Sequence, residues 1–230
     1  MNANSGTLYV IATPIGNMAD ITLRALEILK KVDYIACEDT RHSGRFLAHH
    51  GIHGRLISYY DAVEERKSEE IVDLLRQGFS IALISDSGMP LVSDPGYRVV
   101  RRVREEGLAL DVLPGPSAFV NALVLSGLAV DRFAFLGFLP VKRSKALRAI
   151  KELELFTGTV ILYESPHRLL KTLDFLQTAI GLERVVLAKE LTKMHQSVTT
   201  GTIDEVRSRL GQEGIIGEYV ILFEIPERKG

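Results

Sequence analysis

The segment Thr7-Leu8-Tyr9-Val10-Ile11-Ala12-Thr13-Pro14-Ile15-Gly16-Asn17 couples a strand to a loop. Its first half is an apolar run of strand length. Its second half carries Pro, Gly and Asn, which stop a strand and turn the chain. Leu8, Val10 and Ile11 occupy both parities of the run, the pattern of a parallel strand covered on both faces. Working outward, a helical pattern lies near Ile21 to Lys31, an apolar run at Tyr34 to Cys37, a helix near Glu64 to Gln77 and a further run at Ser80 to Ser85. Such alternation is βαβ grammar and predicts an α/β domain with a parallel-rich sheet.

Helix ends are punctuated in the same segment and beyond it. Asp94 and Pro95 fit an N-cap and first helical residue, with Gly107 as the stop; Ser165 and Pro166 repeat the device, with Gly181 as the stop. Thr202 and Glu205 spell a capping box. After Leu113 the texture changes at Pro114-Gly115-Pro116, ahead of the apolar pattern Ala118 to Leu128. A domain boundary there divides the chain into residues 1–116 and 117–230. Strand-like runs follow at Phe133 to Phe138, Thr159 to Tyr163, Val185 to Ala188, Ser197 to Thr200 and Glu218 to Ile225, with three helical segments among them. The second domain is therefore expected to hold a mixed sheet.

Composition narrows the class. A chain of 230 residues with 46% hydrophobic content can bury a full core, and its apolar runs are strand-sized, short of the roughly 20 residues of a membrane helix. Met1 to Gly6 does not read as a secretory signal, and the single Cys37, in an apolar run, reads as a buried thiol of a reducing compartment. The expected location is the cytoplasm. A net charge of −1 supplies no global attraction for nucleic acid, so any basic surface is local.

Three loops follow apolar runs and are rich in Gly, Pro and small polar residues: Thr13 to Asn17, Asp86 to Pro90 and Pro114 to Ala118. In an open α/β sheet they gather at the carboxyl edge of the strands, where ligands bind. None contains GxGxxG or a Gly-Lys-Ser/Thr ending, which excludes a pyrophosphate-gripping fingerprint. His49, His50 and His53 sit in a Gly-containing stretch without a further ligand at useful spacing and read as a solvated loop, not a metal site.

Taken together with Glu38-Asp39-Thr40-Arg41, Ser93-Asp94-Pro95-Gly96, Gly137-Phe138-Leu139-Pro140, Tyr163-Glu164-Ser165-Pro166-His167-Arg168 and Glu190-Leu191-Thr192-Lys193, the opening segment gives the chain a resemblance. It resembles the 16S ribosomal RNA cytidine-2'-O-methyltransferase family, small-subunit methyltransferase I, from about Thr7 to Phe223. Ser87 and Met89 stand where that family usually has Ala and Thr. The resemblance implies the tetrapyrrole methylase fold, a homodimer of two-domain α/β chains, S-adenosylmethionine in a cleft between the domains, and 16S rRNA of the small ribosomal subunit as partner.

Methyl transfer to a ribose hydroxyl is an in-line displacement, and the hydroxyl is a poor acid. It needs a base within reach or cationic groups that stabilise the developing alkoxide. Lys193 and Glu164 are the acceptor-activating candidates, with Asp39 and Arg41 positioning ribose or phosphate; the resemblance matches these residues and assigns no roles. Asp86 suits the cationic part of the cofactor, and Phe138 and Tyr163 are placed to pack against adenine or the sulfonium. The resemblance adds Pro14, Gly16, Met89, Ser117 and Ala118 as cofactor-loop residues. No metal is required by this chemistry. For RNA, the candidates are Lys142, Arg143, Lys145 and Arg148 on one amphipathic helix, with Arg168 in addition. Arg98, Arg101, Arg102 and Arg104 read as an ordinary charged surface. Two alternatives stay open: a methyltransferase of the same fold acting on a small acceptor such as a tetrapyrrole, and an inactive binding module.

Overall fold

The computed structural model describes residues 5–153 and 155–226. Met1 to Asn4 of the N-terminal stretch read above, Glu154 and the last four residues lie outside the described residues. The chain divides into two compact units, Met1–Ser117 and Ala118–Gly230.

The first unit is built on five strands: β1 (Thr7–Ile11), β2 (Tyr34–Cys37), β3 (Arg55–Ser58), β4 (Ile81–Ile84) and β5 (Ala109–Leu113). Their order is β3-β2-β4-β1-β5, and every pairing is parallel. The mixed parity of the apolar runs now has its reason, because each face has its own core. Leu8, Val10, Ala36, Leu83 and Ile81 point into one cluster, closed by Ile71, Val72 and Leu75 of α3 (Glu64–Arg76) and Val99 and Val103 of α4 (Tyr97–Glu105). Ile11, Ile35, Cys37, Ala82 and Ile84 point into the other, closed by Ala25 and Leu29 of α1 (Leu23–Leu29) and Phe46 and Leu47 of α2 (Thr40–His49).

Two expectations are corrected here. Of the three histidines read as lying in a loop, His49 is the last residue of α2, while His50 and His53 lie in the connection from α2 to β3. Asp94 and Pro95 do not start the next helix. α4 begins at Tyr97, and its cap is supplied across the fold: the Glu64 carboxylate accepts from the Gly96 and Arg98 amides at 3.0 and 3.2 Å. A carboxylate delivered from the neighbouring helix satisfies the N-terminal amides that Asp94 would otherwise have met.

The second unit carries β6 (Phe133–Phe138), β7 (Gly158–Glu164), β8 (Arg184–Lys189), β9 (Ser197–Thr202) and β10 (Tyr219–Ile225) in the order β6-β7-β10-β8-β9. Only β6 and β7 pair in parallel, so the sheet is mixed as expected. One face is sealed by α6 (Arg143–Lys151), α7 (Leu169–Ile180) and α8 (Ile203–Glu213), whose Ile150, Leu173, Leu176 and Val206 meet Val160, Leu162 and Ile221. α5 (Ala118–Ser126) packs against β7, β8, β9 and β10. Gly181, left-handed at φ 65°, ends α7, and Thr202 with Glu205 forms the reciprocal capping box of α8. The start of α7 differs from expectation: Pro166 to Arg168 form a turn in which the Ser165 carbonyl accepts from Arg168 and Leu169, and the helix opens at Leu169.

Candidate active site

In the first unit, β4, β1 and β5 are neighbours, so the loops that leave their carboxyl ends are brought side by side. Thr13 and Gly88 exchange both backbone hydrogen bonds, at 2.9 and 3.1 Å, which stitches the first loop to the second. Thr13 Oγ1 donates to the Ser85 carbonyl at 3.0 Å. Gly115 lies so close to Ala12 that a Cβ there would stand 2.8 Å from the alanine methyl, and only glycine lets the third loop pass. Pro14 is buried in this stitched edge, Gly16 is exposed, and Ser117 and Ala118 are half-buried. Met89 is half-buried, with its side chain packed against the core beneath α3 and α4.

The same edge is acidic. The Asp39 amide donates to Asp86 Oδ1 at 3.4 Å, which ties the end of β2 to the end of β4. Burial and then the charges of Asp86, Asp61 and Asp39 raise the Glu38 carboxyl above its ordinary range. Asp94 is pushed up to about 7, by burial first and then by Glu38 and Asp86. The charges acting on Glu38 and Asp94 are those of other carboxylates, so these two groups sit in a concentration of negative charge. Asp39 differs: it caps α2 by accepting from the Arg41 and His42 amides at 2.7 and 3.3 Å, which holds its carboxyl below the usual range. One of its oxygens is thus occupied by the helix terminus. The Arg41 side chain is 93% exposed, with its Nε 3.9 Å from the Asp39 carboxylate.

In the second unit, β6, β7 and β8 run the same way, so Phe138, Glu164 and the segment after Lys189 reach one edge of the sheet. The two acceptor-activating candidates have different surroundings there. The Glu164 carboxylate is wholly buried, accepting from the Ser165 amide at 2.8 Å and from Thr172 Oγ1 at 2.6 Å, with Arg168 Nε 3.4 Å away. Arg168 in turn donates to the Leu139 carbonyl at 2.7 Å. Glu164 is therefore the root of a clamp that fixes the Phe138–Pro140 corner and has no free oxygen face for a substrate proton. Lys193 Nζ, 30% exposed, donates to Glu190 at 2.9 Å and Glu218 at 3.0 Å. Burial opposes its charge, but the two carboxylates outweigh that and hold the ammonium above the ordinary lysine range. It can serve as a cation near a developing alkoxide and not as a neutral base. Glu190 is held in turn, because it also accepts from the Glu218 amide at 2.9 Å and packs where a Gly217 Cβ would come within 2.7 Å.

Four non-glycine residues adopt positive φ among the described residues: Leu91 and Ser93 beside the acidic edge, Glu190 and Thr192 beside Lys193. Each such position costs on the order of 1 to 3 kcal/mol, and strain of this kind concentrates at functional sites.

The chain matches the family described as Tetrapyrrole (Corrin/Porphyrin) Methylases over residues 7–207. It belongs to the tetrapyrrole methylase family. Within that family its curated relatives include proteins named ribosomal RNA small subunit methyltransferase I. That of Escherichia coli O157:H7 is 48% identical over 96% of this chain and 78% of its own length. The Haemophilus influenzae protein is 46% identical over 96% and 79%, and the Mycoplasmopsis pulmonis protein 46% identical over 96% and 98%. Among solved structures, diphthine synthase superposes with a TM-score of 0.73 at 13% identity, covering 96% of this chain and 90% of its own. Uroporphyrin-III-C-methyltransferase from Thermus thermophilus superposes at 0.66 and 21% identity, covering 94% and 93%. At those identities the two structures speak for the fold alone.

The remaining candidates of this methylase are also placed. Tyr163 accepts from the Phe119 amide at 3.1 Å, and its ring is packed edge-on by Phe135 and Phe138. Lys142 caps α6, and it, Arg143, Lys145 and Arg148 are exposed. Two residues were missed as site candidates. Glu38 reads only as one of the charged residues that follow a strand beside Asp39 and Arg41, without a role of its own, and Asp94 reads as a helix cap; an acidic residue beside Pro and Gly carries both signals, and only the fold separates them.

Proposed function

We propose that this chain is an S-adenosylmethionine-dependent methyltransferase that methylates the 2'-hydroxyl of a cytidine ribose in 16S rRNA of the small ribosomal subunit. The observation that carries this reading is the identity of 46 to 48% to proteins named ribosomal RNA small subunit methyltransferase I, sustained over 96% of the chain. The acidic edge of the first unit fits the cofactor, which carries an ammonium and a sulfonium and supplies the methyl group. Asp86, Glu38 and Asp94 attract those cations, and the stitched loops around Pro14, Gly16, Ser117 and Ala118 offer backbone groups at close approach. Lys193 stabilises negative charge on the acceptor oxygen, Glu190 and Glu218 position it, and Arg41 meets a phosphate. Lys142, Arg143, Lys145 and Arg148 grip the RNA backbone.

A homodimer agrees with Val120, Val124 and Leu125 standing exposed on α5, and light scattering in solution tests it. A cytoplasmic location follows from the substrate, and no helix among the described residues is long and apolar enough to cross a membrane. The deciding experiment is transfer of labelled methyl from S-adenosylmethionine to small subunits purified from cells lacking this protein, with the modified nucleotide mapped. One 2'-O-methylcytidine supports the reading. Cofactor binding without RNA incorporation overturns it in favour of a small acceptor.

A further inference from the structure

Strand β6 carries an irregularity that changes which face its last residue occupies. Its pairing with β7 steps from Phe135 opposite Ile161 to Gly137 opposite Leu162, which leaves Leu136 as an extra residue. Gly137 sits at φ 61°, a conformation open to glycine at little cost. In an unbroken strand Phe138 would share the face of Ala134 and Leu136, both of which pack into the core. The bulge instead sets Phe138 opposite Tyr163, on the face of Phe133 and Phe135.

The result is a continuous aromatic array. Phe119 stacks on Phe135 at 4.6 Å, Phe135 meets Tyr163 edge-on at 4.8 Å, and Tyr163 meets Phe138 at 5.7 Å. Phe138 is the outermost ring and is 51% exposed, while the inner members are only half-buried or better. Its backbone is held from behind by the Arg168 bond to the Leu139 carbonyl and by Glu164 beneath Arg168. Beyond Pro140, the exposed Val141 leads into Lys142, Arg143 and Lys145. No carboxylate lies within ion-pair distance of these three among the described residues, and Arg143 lies 5.4 Å over the Phe175 ring with its charge unmatched by an anion. Lys142 and Arg143 follow Phe138 by four and five positions, so they lie within about 18 Å of it even at full extension of the chain.

A rigidly backed, solvent-facing ring beside uncompensated cations is what a single-stranded nucleic acid recognises, with a base on the ring and phosphates on the cations. We propose that the outer face of Phe138 is the stacking platform for an unpaired base of the substrate RNA, with the adjoining phosphates held by Lys142, Arg143 and Lys145. This inference rests on the RNA reading above and names the residue that recognises the base.

The test uses the full chain and small subunits lacking the modification. Phe138→Ala raises the KM for subunits about 5- to 150-fold, the loss falling on KM more than on kcat. Phe138→Leu, which keeps apolar bulk but has no π-face, loses as much, whereas Phe138→Trp restores the parent value. Thermal unfolding and calorimetric binding of S-adenosylmethionine serve as controls and stay at parent values. An unchanged KM, or a leucine variant as good as the parent, overturns the proposal. Weakened cofactor binding in Phe138→Ala overturns it in favour of a cofactor contact, and a KM loss that tracks loss of self-association overturns it in favour of a protein interface. Absence of methyl transfer by the parent chain is a separate result: it defeats the function reading, and this inference with it.

Discussion

Helices α4 and α6 are both rich in basic residues, and the fold treats them in opposite ways. On α4, Arg98 pairs with Glu64 and Glu65, Arg102 with Glu65 and Glu69, and Arg101 with Glu105 on its own helix. The α3–α4 face is a ladder of opposite charges that cancels itself. On α6, among the described residues, only Arg148 approaches a carboxylate, Glu152 at 4.0 Å, while Lys142, Arg143 and Lys145 have none in ion-pair reach and Arg143 lies over the Phe175 ring. A count of Lys and Arg therefore measures charge present and says little about charge available to a phosphate. What decides availability is whether a neighbouring element brings acids to the same face.

The largest expected effect comes from removing the available charge. Lys142→Ala/Arg143→Ala/Lys145→Ala lowers RNA affinity roughly 10- to 100-fold at moderate salt and flattens the slope of log affinity against log salt by about 2, as three lost phosphate contacts require. A binding titration over several salt concentrations reads both numbers. An unchanged slope breaks the comparison.

Next comes the third charged region, the acidic edge, where Glu38 and Asp94 are surrounded by other carboxylates. The carboxyl of Asp94, at about 7, is largely protonated at pH 6 and ionised at pH 8. A cationic cofactor is therefore held more tightly at the higher pH, by about tenfold over that span if Asp94 couples fully. Asp94→Asn abolishes that dependence in calorimetric titrations with S-adenosylmethionine. The stability sign is opposite. The folded state binds the proton more strongly than the unfolded chain, so this group lowers stability as pH rises from about 4 to 7, and the asparagine variant loses that part of the unfolding profile.

Smaller effects sharpen the comparison from the α4 side. Glu65→Gln/Glu69→Gln frees Arg102, leaves Arg98 paired with Glu64, and steepens the salt slope of RNA binding by at most about 1. Arg98→Ala/Arg102→Ala leaves RNA affinity at the parent value and costs below about 1 kcal/mol of stability per exposed pair, read from denaturant unfolding. A marked loss of RNA binding in that double variant would place RNA on both helices.

The fold was legible wherever apolar periodicity was strong, as in Thr7–Ile11, Ile81–Ile84 and Gly158–Glu164, because burial on two faces writes hydrophobic residues at both parities. It was hidden between Thr40 and Ser58, where Gly44, Gly51, Gly54 and four histidines dilute the pattern of α2 and β3. The site was legible in part. The three loops follow from strand ends, and their grouping follows from the parallel order. The fate of Glu164 did not, because burial of a carboxylate depends on Ser165, Thr172 and Arg168 converging on it in three dimensions. Strict alternation would put Phe138 on the face of Ala134 and Leu136, but one extra residue at Leu136 inverts the parity that follows it.

The position of β1 in its sheet has a consequence for synthesis. Leu8 pairs with Ile81 on one side and Leu110 on the other, so the opening strand has no partner until residues far downstream have left the ribosome. At about 5 to 20 residues per second, the interval between Ile11 and its neighbour Leu113 lasts roughly 5 to 20 s. Both edges of Thr7–Ile11 are open until Ile81–Ile84 has been made, one edge stays open until Ala109–Leu113 follows, and the loop it carries is assembled only at the close of the first unit.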